Sequence, residues 1–124
     1  LPFLKQRDEK FEAAYLDFLS EQNANKFFIY TNKKKNRKFV EEVIIPNLHE
    51  EIKVIFLEGK IPRSEFEIRL VSRLLNDQKI AGGFPWLINI SDSKVHAYSI
   101  NNAVYNAMRG GNPQAVLSLI NSPR

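Results

Sequence analysis

Two strand-like runs, Phe27-Phe28-Ile29-Tyr30 and Ile52 to Leu57, flank a stretch of helical periodicity, and that arrangement restricts the fold more than any other feature. Aromatic and β-branched residues dominate both runs, as suits a pleated, buried backbone. Two strands joined through a helix make a parallel pair with a right-handed crossover. The intervening pattern, about Arg37 to His49, places Phe39, Val40, Val43, Ile44 and Leu48 at helical spacing. Pro46 lies inside it, lacks a backbone N–H, and predicts a kink.

The remaining elements build around this unit. Phe11, Ala14, Tyr15, Phe18 and Leu19 form one apolar stripe on a helix from about Asp8 to Gln22. Gly59 and Pro62 punctuate a turn, and Ser64-Glu65-Phe66-Glu67 has the spacing of a capping box. The helix it opens is expected to bury Ile68, Val71, Leu74 and Leu75 and to fade at Asn76-Asp77. A strand from Phe84 to Ile90 and another from Val95 to Ile100 are joined by Ser91-Asp92-Ser93-Lys94, a hairpin. Two short helices, about 102–109 and 113–121, close the chain, with Asn112 as N-cap and Pro113 at the first helical position. The order α-β-α-β-α-β-β-α predicts an α/β domain over residues 1–124, with a mixed four-stranded sheet and helices on both faces.

The chain has no cysteine, which removes disulfides, zinc–thiolate sites and cysteine nucleophiles together. No apolar run approaches the ~18 residues of a membrane span. The chain opens on Leu1 rather than Met, so a processed form or a fragment is expected. Its net charge of +4 is local: Lys33, Lys34, Lys35, Arg37 and Lys38 carry five positive charges with no acid between them, and the rest of the chain sums to −1.

The order of elements resembles that of thioredoxin-like proteins from about residue 8 to 121. Gly83-Phe84-Pro85-Trp86-Leu87-Ile88 looks like the segment in which that family carries a cis-proline before its third core strand. Pro46 resembles the proline that kinks the helix after the family's active-site loop. Phe84-Pro85-Trp86 is also similar to the strand start of the redox-silent UAS domains of ubiquitin-pathway adaptors. The departure lies in the thiols. Counted from the first strand, the Cys-x-x-Cys positions fall on Lys34-Lys35-Asn36-Arg37, and counted back from Pro46 on Lys38-Phe39-Val40-Glu41. Both are free of sulfur, so the resemblance implies a redox-inactive member.

The candidate binding edge combines Lys33, Lys34, Lys35, Arg37 and Lys38 with Phe84, Pro85 and Trp86. Lysines crowded at a helix start oppose its dipole, and a bound anion relieves them. A protein partner is the first expectation. An anionic ligand, or a nucleic acid held by residues 33–38, is the alternative; a solvated loop is the plain reading of such a run. His49 and His96 have no metal-ligand spacing, and a structural role fits each better than a catalytic one. Glu41 and Glu42 point about 100° apart on a helix, unsuited to paired-carboxylate chemistry. No catalytic residue, metal or cofactor is expected.

Overall fold

The computed structural model describes residues 2–122. Leu1, Pro123 and Arg124 of the expected 1–124 domain lie outside them. In chain order the elements are α1 (Pro2–Glu21), β1 (Lys26–Thr31), a composite helix α2 (residues 37–47), β2 (Lys53–Glu58), β3 (Ile61–Arg63), α3 (Ile68–Asn76), β4 (Trp86–Ser91), β5 (Lys94–Ser99), α4 (Asn101–Met108) and α5 (Pro113–Asn121).

One mixed sheet runs β3-β2-β1-β4-β5. β1 and β2 are parallel, with Phe28 beside Val54 and Tyr30 beside Phe56. β4 is antiparallel to β1, and β5 antiparallel to β4. Alternate residues of β1 enter two different cores. Phe27 and Ile29 join Tyr15, Phe18, Val71 and Leu74 from α1 and α3. Phe28 and Tyr30 join Val40, Ile44, Val104 and Ile120 from α2, α4 and α5. A strand covered on both faces has no polar alternation, which is why the run reads as continuously apolar. Each such side chain, fully buried, contributes about 1.5–3 kcal/mol.

Several expectations are corrected. The sheet has five strands, because Ile61-Pro62-Arg63 pairs antiparallel with β2. Pro62, which the sequence places in a turn, sits on an edge strand, where its missing N–H leaves no ladder bond unmade. The turn itself is made at Gly59, whose φ of +63° favours glycine. The capping box does not form: Ser64 Oγ accepts from the Phe66 N–H at 3.1 Å, and Glu67 occupies the N-cap without a side-chain bond. Phe66 instead turns inward against Phe18 and Phe27, with ring centroids 5.7 Å away in each case. The helix therefore starts only at Ile68, which is 46% exposed rather than buried.

α2 is not a kinked α-helix ending at His49. One α turn, Arg37–Phe39, passes into a π turn, Val40–Ile44, and a 3₁₀ turn, Ile45–Asn47. The Ile45 N–H reaches the Val40 carbonyl, five residues back. Pro46 has no N–H to give, and the ladder changes pitch around it. Asn47 Nδ2 donates to the Val43 carbonyl at 2.7 Å, and Asn121 Nδ2 to the Asn47 carbonyl at 3.1 Å. On the opposite face Arg73 bridges α3 to α1, pairing with Glu12 at 2.6 Å and Asp77 at 2.8 Å.

Candidate binding cleft

The chain leaves β1 toward the α2 face and leaves β2, through β3, toward the α3 face. Diverging connections open a crevice at the carboxyl ends of parallel strands, where open α/β sheets bind ligands. β4 runs antiparallel to β1, so its start at Trp86 meets the same end. The crevice is a cleft of about 690 Å³ lined by Thr31, Lys33, Lys34, Lys60, Phe84 and Trp86, with Leu57, Pro62 and Leu75 as apolar wall. Its lining contains no carboxylate.

Each polar wall is positioned by a specific local arrangement. Thr31, buried at the end of β1, accepts from the Lys33 N–H through Oγ1 at 3.2 Å and so turns the chain out of the sheet. Lys34 lies across the proline loop: a Cβ on Gly83 would stand 2.6 Å from its Nζ and 2.9 Å from its Cε. Gly82 has φ +109°, and a Cβ there would meet Ser99 Cβ at 2.9 Å. The Ser99 hydroxyl donates to the Gly83 carbonyl, and the Ile100 N–H to the Pro85 carbonyl at 2.9 Å. The Phe84–Pro85 bond is cis, with Pro85 buried and Phe84 stacked on Trp86 at 4.2 Å and 24°.

The expected edge is divided by this geometry. Lys33, Lys34, Phe84 and Trp86 share the cleft, and Pro85 lies beneath it. Lys35, Arg37 and Lys38 are exposed outside its lining. Arg37 Nε pairs with Glu41 Oε1 at 3.3 Å, and its guanidinium lies 4.8 Å above the Phe56 ring. Glu41 Oε2 accepts from the Tyr30 hydroxyl at 2.8 Å. Burial, and then this bond, push the Tyr30 phenol up to about 12, so it remains a neutral donor.

Two contributors, Lys60 and Asn36, carry no sequence motif that marks them. Lys60 enters from the β2–β3 turn, and only the pairing of β1 with β2 brings it near residue 33. Asn36, 1% exposed inside the basic run, has Nδ2 3.4 Å from Asn101 Oδ1, tying the loop to α4. An asparagine among five cations was the available signal. The histidines lie elsewhere: His49 Nδ1 is 3.6 Å from Glu51, both well exposed, and His96 is exposed on β5. Among the described residues no group of three His, Asp or Glu side chains is arranged to hold a metal, and no helix is long and apolar enough to cross a membrane.

Fold and site together define an α/β protein with a mixed five-stranded sheet and a basic, aromatic cleft at the switch point. Compared with models of known families, with curated proteins and with solved structures, the chain finds no match.

Proposed function

We propose that this chain is a redox-inactive, thioredoxin-like binding module whose cleft takes an acidic segment of a partner protein. One observation carries the reading: the side-chain ammonium groups of Lys33, Lys34 and Lys60, without an ion-pair or hydrogen-bond partner among the described residues, line one cleft beside a stacked aromatic pair, and that lining is free of carboxylates. A lysine ammonium is a point charge with three donors, suited to a carboxylate approaching from several directions. The aromatic pair and Leu57, Pro62 and Leu75 favour an apolar side chain next to that acid. The thioredoxin-like part of the reading is supported by the order β2-β1-β4-β5, with β1 and β2 parallel and the other pairs antiparallel, and by the position of Pro85.

Trp86 is the only tryptophan, so intrinsic fluorescence reports the cleft directly. Capped peptides with Asp or Glu beside Leu or Phe should shift its emission saturably, and their Asn or Gln counterparts should not. Single-stranded DNA and RNA are the comparators, since binding through several phosphates falls steeply and log-linearly with salt. Steep, salt-sensitive oligonucleotide binding with no peptide response would overturn the proposal. So would a peptide response that survives replacement of Lys33, Lys34 and Lys60 by serine.

A further inference from the structure

The two edges of the sheet are treated differently by this sequence. β3 is three residues long, contains Pro62, and carries Arg63 paired with Glu58 at 3.1 Å. Short length, proline and charge all discourage another strand from adding there. β5 is six residues long, Lys-Val-His-Ala-Tyr-Ser, with no proline and one charge. Asp92 and Ser93, with φ of +53° and +60°, make the two-residue turn before it, so Ser91 and Lys94 close the hairpin as a hydrogen-bonded pair.

That closure fixes which way each backbone group points. Bonded pairs alternate along an antiparallel ladder, so Lys94, His96 and Tyr98 address β4. The Ile90 N–H bonds to the Asn25 carbonyl, away from β5, which agrees with Val95 opposite it being turned outward. The N–H and C=O of Val95, Ala97 and Ser99 therefore face the free edge, and no backbone bond to another segment uses them among the described residues. On the face above them His96 is exposed and Tyr98 is 40% exposed.

We infer that β5 pairs antiparallel with β5 of a second copy of this chain, about a two-fold axis at His96, making one continuous ten-stranded sheet. In that register Val95 bonds Ala97 of the other copy in both directions. Lys94 lies opposite Tyr98 of the other copy, so the edge's single charge meets an aromatic ring rather than its own like. Placing one Lys94 beside the other would be repulsive, and cation next to ring is attractive. An isologous contact of this kind closes at two copies and leaves the cleft, at the carboxyl ends of β1 and β2, outside the interface. The inference stands independently of what the cleft binds.

Because the chain has no cysteine, a single introduced thiol reports the register. In the proposed pairing His96 opposes His96 as a non-bonded pair with Cα atoms about 4.5 Å apart, within disulfide range. His96→Cys should oxidise to a covalent dimer about tenfold or more faster than Ser118→Cys on the exposed face of α5, since pairing raises the local thiol concentration. The unmodified chain should sediment with twice its monomer mass at high concentration. Ala97→Pro, which removes an N–H directed at the free edge, should return it to monomer mass. A monomer at every concentration, or His96→Cys oxidising no faster than Ser118→Cys, would overturn the inference. Faster oxidation of Ala97→Cys than of His96→Cys would overturn the stated register. The thiol comparison holds whether or not Ala97→Pro folds.

Discussion

Lys34 and Arg37 are three residues apart in the same basic run, and the fold puts them to opposite uses. Arg37 has its partners in place, with Glu41 beside it, Phe56 beneath it and the Tyr30 hydroxyl bonded to the same carboxylate. Lys34 lies over Gly83 at the mouth of a cleft that offers it no anion. A satisfied cation is part of the scaffold, whereas a positioned cation without a counter-charge retains its full interaction for something that arrives. The basic run is therefore two structures, a binding wall at Lys33 and Lys34 and an anchor at Arg37.

The contrast is broken most directly by exchanging the cations. Replacing Lys33, Lys34 and Lys60 together with serine should weaken binding of the acidic peptide by about 100-fold or more, since each hydrogen bond to a charged group contributes about 1.5–3 kcal/mol. Arg37→Ser should change that affinity by less than about twofold, as expected of a solvent-screened charge outside the site. Fluorescence titration of Trp86 measures both. Equal losses would mean that the run acts as one undivided patch.

A smaller effect is expected from Gly83→Ala. Its new Cβ would stand 2.6 Å from Lys34 Nζ, so the lysine must swing out of the cleft while the backbone stays. Binding should fall about tenfold, the loss of one charge-assisted bond, with the thermal midpoint nearly unchanged. Because Lys34 is flexible the adjustment is inexpensive for folding, which separates this variant from Gly82→Ala, where φ of +109° opposes any side chain.

How much of this was readable follows from what each residue depends on. Phe27 to Tyr30 announces a strand covered on both faces because the requirement is local: every side chain has a core to enter. The closing hairpin and the N-cap at Asn112, which accepts from Gln114 N–H at 2.9 Å, are equally local, and the parallel partner follows from the strand-helix-strand order. β3 was hidden because proline reads as a turn unless the strand is known to be an edge. Lys60 was hidden because its nearness to Lys33 exists only after β1 and β2 pair. The division of the basic run was hidden for the same reason. Arg37 finds Phe56 and Tyr30 across the sheet, and no spacing within residues 33–38 records them.

The anchor should also have a signature at alkaline pH. Tyr30, and likewise Tyr15, which burial raises first, are both pushed up to about 12. Below pH 10 the phenols are neutral in folded and unfolded chains alike. As pH rises beyond 10 the unfolded chain ionises while the folded one does not, so stability falls until the folded phenols titrate near 12. Tyr30→Phe should remove part of that decline, measured as the urea midpoint from pH 9 upward, and Tyr15 should account for the part that persists. An identical decline in the variant would detach Tyr30 from the anchor.

The smallest effect tests whether the anchor deserves its name. The Arg37–Glu41 pair is partly exposed, with 44% and 39% of the two side chains accessible, so its Coulombic share is modest. Stacking over Phe56 adds a contribution of about 0.5–1 kcal/mol that salt screens less than a free ion pair. Arg37→Ser should therefore lower unfolding stability by about 1 kcal/mol in dilute buffer, and most of that loss should persist in high salt, because the ring contact survives when the carboxylate is screened. Arg37→Lys should recover the charge but little of the stability, since an ammonium lacks the planar face that covers Phe56. If lysine restores stability fully, Arg37 is held by charge alone and differs from Lys34 in degree rather than in kind.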